Sequence, residues 1–289
     1  MAALPRHWRV ACVQACAGTD PAANLAVLSS HIREAAAEGA TYVQTPEMSN
    51  VYEAGARAQA AKAVAFEDDP MVAAFRDLAA ELGITIHIGS IAVRVPGETR
   101  LANRSVLIAP SSAITASYDK IHLFDADPRP GESYRESKGY VSGDRVVTAP
   151  AGPATLGLSI CYDLRFAALY RALAQHGADV IAIPAAFSAT TGAKHWHTLI
   201  RARAIETGCF VIAAAQAGRH QNGRETFGHS LIVSPDGAVI AEREAGEGVL
   251  LADLDLDEVA AARARLPVLA NDAMVSVLAE TPGGDRSAA

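Results

Sequence analysis

What most constrains this chain is an almost unbroken alternation of short apolar runs with amphipathic segments, several of them opened by proline. Val10-Ala11-Cys12-Val13-Gln14 is a strand-like run. Asp20-Pro21 follows, an N-cap residue with proline at the first helical position, and Leu25, Leu28 and Ile32 recur at helical spacing until Gly39. Thr41–Gln44 reads as a second strand that leads into Thr45-Pro46-Glu47. The pattern recurs at Asp69-Pro70, with Val72, Phe75, Leu78 and Leu82 on one face and Gly83 as the stop. Further strands are expected over 84–93, 105–109, 114–118, 155–160, 179–183, 210–215 and 249–253. Helices are expected over 164–176, 193–207 and 257–265, and a hairpin about Ser234-Pro235-Asp236-Gly237. Residues 124–144 are polar and contain Gly and Pro, so they read as a long loop, a feature that in compact domains is usually functional or disordered. No repeat or Gly/Ser linker divides the chain. One mixed α/β domain over 1–269 is expected, with a tail over 270–289 that is mobile or packs on a dimer partner.

Composition narrows the function classes. Half of the 289 residues are apolar, enough to bury a large core without staples. The formal net charge of -7, with no basic run, disfavours a nucleic-acid partner, because nothing is available to neutralise phosphates. The apolar runs are too short to span a bilayer. Four cysteines (Cys12, Cys16, Cys161, Cys209) form no CxxC pair, and the start lacks a basic-then-apolar signal pattern. A reducing, cytoplasmic setting is the expectation, with a small molecule as the partner.

Cys161 stands where an apolar strand, Leu156–Ile160, gives way to a helix expected from about Leu164. A thiol on such a turn is sharply presented, and a nearby helix N-terminus favours thiolate. The N–H of Tyr162 is placed to donate to a developing oxyanion. A cysteine hydrolase also needs a base. The histidines are scattered, whereas Glu47 follows a strand and Pro46, where partial burial would raise its affinity for protons. Lys120, at the end of Ser117-Tyr118-Asp119-Lys120, could hold an oxyanion. Each of the three, taken alone, also fits an ordinary structural role: a core cysteine, a solvated glutamate, a surface lysine.

Three segments together resemble the signatures of the nitrilase superfamily, in that family's order: Gln44-Thr45-Pro46-Glu47, Tyr118-Asp119-Lys120-Ile121-His122-Leu123-Phe124-Asp125 and Ile160-Cys161-Tyr162-Asp163-Leu164-Arg165-Phe166. The resemblance extends from about Trp8 to about Pro267. It implies a four-layer α-β-β-α sandwich, pairing into a homodimer, and an amidase that needs no metal and no organic cofactor. It also implies Glu47 as general base, Lys120 as oxyanion stabiliser and Cys161 as nucleophile, joined by a second glutamate before the cysteine. Glu136 matches that position, and Glu132 is the alternative.

The Tyr162-Asp163 pair after the cysteine resembles the amidase branch that contains omega-amidases and deaminated-glutathione amidases, since true nitrilases carry Trp-Glu there. Ala213–His220 and Gly228-His229-Ser230 lean toward the latter. The expected substrate is therefore deaminated glutathione, cleaved to 2-oxoglutarate and cysteinylglycine. An omega-amidase acting on α-ketoglutaramate is the runner-up, with N-carbamoyl amino-acid hydrolysis behind it. A non-catalytic binding or scaffold protein retaining the fold is the competitor from another class. Tyr162, Arg165, Phe187 and Thr191 are candidate substrate contacts. The chain departs from the family at His197, where relatives carry glutamate, and at Ala167 and Ala185-Ala186-Phe187. His195 and His197 do not suggest a metal site, because residues two apart on a helix point apart and no acidic partner stands at motif spacing.

Overall fold

A computed structural model describes residues 6–271 and 273. In chain order the strands are β1 (His7–Gln14), β2 (Tyr42–Gln44), β3 (Thr85–Arg94), β4 (Leu101–Ile108), β5 (Ile114–Asp119), β6 (Asp125–Arg129), β7 (Glu132–Arg135), β8 (Thr148–Ala151), β9 (Ala154–Leu158), β10 (Val180–Ala182), β11 (Phe210–Ala213), β12 (Ala217–Arg219), β13 (Glu225–Phe227), β14 (Ser230–Val233), β15 (Val239–Arg243) and β16 (Gly248–Asp255). The α-helices are α1 (Pro21–Ala37), α2 (Ala56–Lys62), α3 (Pro70–Leu82), α4 (Ala167–Gln175), α5 (Ala189–Thr207) and α6 (Asp257–Arg265).

Two six-stranded sheets, ordered β16-β1-β2-β3-β4-β5 and β15-β14-β11-β10-β9-β8, form the middle of the molecule. Side chains on a strand alternate between faces, so β1 serves two interiors at once. Val10 and Cys12 join the core that also holds Leu156, Leu158 and Ile181 of the second sheet. Ala11 and Val13 join a separate core with Leu28 and Ile32 of α1 and Phe75 and Leu78 of α3. On the second sheet, Leu169 and Leu173 of α4 and Trp196 and Ile200 of α5 pack into the first of these cores. The layers therefore run helix, sheet, sheet, helix, the α-β-β-α sandwich. Sheets covered on both faces explain why the strand sequences are nearly continuous apolar runs.

Local chemistry sets the helix ends. The Asp20 carboxylate accepts from the Ala22 N–H, and that of Asp69 from the N–H groups of Met71 and Val72. Gly83 closes α3 at φ +68°, in the left-handed region that favours glycine. Four expectations need correction. Residues 124–144 contain the β6–β7 hairpin and a 3₁₀ turn at Glu136–Lys138. The segment after Cys161 is a 3₁₀ turn over Cys161–Arg165, and α4 begins only at Ala167 because Phe166 leaves helical geometry at φ -112°, ψ 88°. Helix α5 starts at Ala189, four residues early, because Ser188 caps it. Strand β8, helix α2 and the β12–β13 ribbon complete what the sequence reading omitted. The tail expected over 270–289 lies, apart from 270, 271 and 273, outside the described residues. Among those described, no helix is long and apolar enough to cross a membrane.

Candidate active site

Glu47 emerges from β2 through a tightly pinned corner. The Thr45 hydroxyl accepts from Gly89 N–H, and Ser90 Oγ accepts from Met48 N–H. Strand β3 bulges against β4 between Ile88 and Ile91, where Gly89 lies. A Cβ on Gly89 would come within 2.0 Å of the Thr45 carbonyl oxygen, so only glycine allows this approach. Lys120 follows β5, its N–H donating to the Asn103 carbonyl. Glu136 opens the 3₁₀ turn after the β6–β7 hairpin and is tied back by Phe124 N–H, which donates to Oε2 at 2.6 Å.

Cys161 follows the extended residue Ile160 and has φ +48°, a strained conformation for a residue with a side chain. Asp163 holds that turn. Its fully buried carboxylate accepts from Tyr118 OH at 2.7 Å, from His122 N–H at 3.0 Å and from Ile160 N–H at 2.9 Å. The Cys161 N–H donates to the Pro184 carbonyl at 2.9 Å, which ties the turn to the end of β10.

These elements bring Glu47, Lys120, Glu136 and Cys161 to the wall of one cavity of about 280 Å³. Lys120 Nζ donates to Glu47 Oε1 at 2.9 Å and to both oxygens of Glu136 at 3.0 and 3.2 Å. Glu47 Oε2 accepts from Ala186 N–H at 2.8 Å. One group missed by sequence reasoning is Asn103 on β4, whose Nδ2 donates to Glu47 Oε1 at 2.9 Å and to Glu136 Oε1 at 3.3 Å. Its own Oδ1 is buried without a partner. Glu132, the alternative second glutamate, instead pairs with Arg129 at 2.9 Å.

The electrostatics correct two expectations. Burial pushes the Glu47 proton affinity up, but the Lys120 charge and hydrogen bond, the Cys161 thiol and the Ala186 N–H outweigh it and hold the carboxyl below its ordinary value. The sequence suggested the opposite direction. Burial, then the neighbouring Glu47 charge, pushes the Cys161 thiol well up, and Lys120 only partly offsets this. The resting cysteine is thus a thiol, without a helix N-terminus to favour thiolate. Burial opposes the Lys120 charge, yet Glu136 and Glu47 raise its pKa well above the ordinary value, so it stays an ammonium. The cluster sets an ionised carboxylate and an ammonium beside a neutral thiol.

Tyr162, Arg165, Phe187 and Thr191 are not among the residues that line the cavity. Tyr162 packs on the lining residue Phe124 with ring centroids 4.9 Å apart, and Thr191 meets the lining residue Ser188 hydroxyl to hydroxyl at 3.1 Å. The Arg165 guanidinium lies over the Phe187 ring at 5.0 Å and shares a hydrogen bond with His195 at 3.2 Å. The wall itself carries Tyr52, Tyr134, Tyr140 and Arg224. Arg224 is half-buried, 5.7 Å from the Tyr52 ring centroid and 5.1 Å from that of Tyr134, and makes no ion pair among the described residues. Nothing in the local sequence around Arg224 signals this, because its partners come from residues 52 and 134.

The carbon-nitrogen hydrolase family pattern matches residues 9–264. A protein of Yersinia enterocolitica named deaminated glutathione amidase is 36% identical over 275 residues, covering 94% of this chain and 96% of that protein. The fold is similar to that of the C. elegans NitFhit protein, with a TM-score of 0.85 and 31% identity over 92% of this chain and 65% of that one. It is also similar to Saccharomyces cerevisiae Nit3, a member of branch 10 of the nitrilase superfamily, with a TM-score of 0.82 and 27% identity over 91% and 95% of the two chains.

Proposed function

We propose a substrate and residue roles for this chain on the premise that it belongs to the carbon-nitrogen hydrolase family, within the nitrilase superfamily, and is a cysteine-dependent amidase. The substrate is deaminated glutathione, cleaved to 2-oxoglutarate and cysteinylglycine. Its support is the name carried by the Yersinia relative, together with Arg224 on the cavity wall. A half-buried guanidinium without a carboxylate partner has lost hydration that an anionic substrate end would replace with charge-assisted hydrogen bonds.

The observation that carries the mechanism is the hydrogen-bonded arrangement of Lys120 between Glu47 and Glu136 on the cavity wall shared with Cys161. Glu47 takes the thiol proton as Cys161 Sγ adds to the amide carbon, so no free buried thiolate accumulates beside the carboxylates. Lys120 and the Tyr162 N–H receive the oxyanion. Glu47 returns the proton to the leaving nitrogen, the C–N bond breaks, and cysteinylglycine departs from a thioester. Glu47 then removes a proton from water, which attacks the thioester. The acid is released and the proton restores the thiol. Glu136 keeps the ammonium of Lys120 in place.

The homodimer and the reducing compartment belong to the same proposal. Exposed Ile205, Val239 and Ile240 support the former, and four free cysteines the latter. Light scattering in solution checks the dimer. For the substrate, deaminated glutathione and α-ketoglutaramate are assayed in parallel. A kcat/KM at least tenfold higher for deaminated glutathione is expected, and a preference for α-ketoglutaramate would move the enzyme to an omega-amidase role.

A further inference from the structure

His197, unpromising within its own helix, meets two partners from elsewhere in the chain. Its Nε2 lies 2.8 Å from Glu242 Oε1, and His229 Nδ1 lies 2.7 Å from the same oxygen. The three donor atoms fall within 4.8 Å of one another. Zinc bonds to imidazole nitrogen and carboxylate oxygen of about 2.0–2.1 Å in a tetrahedron put ligand atoms roughly 3.3 Å apart. Each imidazole would therefore need to withdraw from the carboxylate by only about half an ångström.

The rings are already held for such a role. His229 stacks on Phe227 with centroids 4.1 Å apart and planes at 20°, and His197 sits edge-on to the same Phe227 ring at 6.0 Å. The His229 backbone, at φ +54°, is fixed by its N–H donating to the Glu244 carbonyl and by its own carbonyl accepting from Trp196 Nε1 at 2.8 Å. Side-chain exposures of 37%, 25% and 25% for His197, His229 and Glu242 leave room for a water as a fourth ligand. Two imidazoles and one carboxylate are a donor set suited to zinc.

We propose that His197, His229 and Glu242 form a divalent transition-metal site of zinc type that clasps α5 to β15. Binding needs no redox step: each ring proton sits on the nitrogen away from the ion, and the carboxylate ligates ionised. The site stands independently of the substrate reading.

The test is equilibrium dialysis against zinc of tag-free Cys161→Ala protein, so that the active-site thiol contributes no binding, with Co²⁺ absorption as a second readout. One equivalent of zinc at micromolar affinity and the visible bands of tetrahedral cobalt are expected. His197→Ala should abolish both, and Glu242→Gln should weaken zinc binding at least tenfold. His197→Gln, checked for an unchanged metal-free Tm, guards against a folding defect. Absence of micromolar binding, or the same stoichiometry and cobalt spectrum in the His197 variants, would overturn the proposal.

Discussion

The Asn103 side chain donates to both carboxylates of the ion cluster. In Asn103→Leu, Glu47 and Glu136 each lose a donor to the charged form. Hydrogen bonds to charged groups contribute about 1.5–3 kcal/mol, so a kcat loss of roughly 10- to 100-fold is expected. The pH profile separates this from a packing defect. A carboxyl held below its ordinary value contributes its base form, and its share of stability, at neutral pH and loses both only as pH falls through the lowered value. The acidic limb of kcat/KM should therefore lie below the ordinary carboxylate range in the native enzyme and move toward neutral pH in Asn103→Leu. An unmoved limb would contradict the assignment of Glu47 as base. Arg224 is tested differently. Arg224→Met should raise KM for deaminated glutathione by about 10- to 100-fold, the size of one lost charge-assisted contact, and leave hydrolysis of a neutral aliphatic amide unchanged. Equal losses on both substrates would remove Arg224 from recognition.

Among the elements, the β3 bulge and the Glu47 corner depend on one glycine. A Cβ at position 89 would meet two backbone carbonyl oxygens, at 2.0 and 2.6 Å, and Pro184 Cβ at 2.5 Å. Backbone cannot swing aside as a side chain tip can, so Gly89→Ala should cost about 3 kcal/mol or more, read as a lower urea midpoint. A midpoint within error of the native value would contradict it. The elements legible in sequence were those announced by local chemistry. Asp20-Pro21 and Asp69-Pro70 mark helix starts, Gly83 marks a stop, and the turn 234–237 joins β14 to β15. Helix α2 escaped because Ala56–Lys62 carries no apolar stripe, and β6–β7 because Asp125–Arg129 contains proline and is polar. The turn at Cys161 stood where the sequence placed it, but the helix after it starts at Ala167 rather than about Leu164, since a 3₁₀ turn and a helix start share the same composition.

Across the whole molecule, the site exists only because two sheets face each other. Glu47, Asn103 and Lys120 follow or lie on strands of the first sheet, whereas Cys161 and Ala186 follow strands of the second. Buried glutamines tie the two together: Gln44 Oε1 accepts from Ala214 N–H at 3.0 Å, Gln14 Oε1 from Ser230 N–H at 2.8 Å, and Gln216 Nε2 donates to the Glu47 carbonyl at 2.9 Å. Residue types and order at 47, 120 and 161 resemble the family's signature, and so could be read before the fold. Asn103, Arg224 and the His197–His229–Glu242 cluster could not, because each acquires its meaning from partners far away in sequence. We propose that this assembly makes Cys161 the nucleophile of an amidase. The most direct test is the rate of cysteinylglycine release from deaminated glutathione by the native enzyme and by Cys161→Ala, with circular dichroism confirming that both are folded. One 2-oxoglutarate formed per cysteinylglycine by the native enzyme and a fall of at least about 1,000-fold in the variant are expected. Turnover by Cys161→Ala at a rate near that of the native enzyme would contradict the proposal.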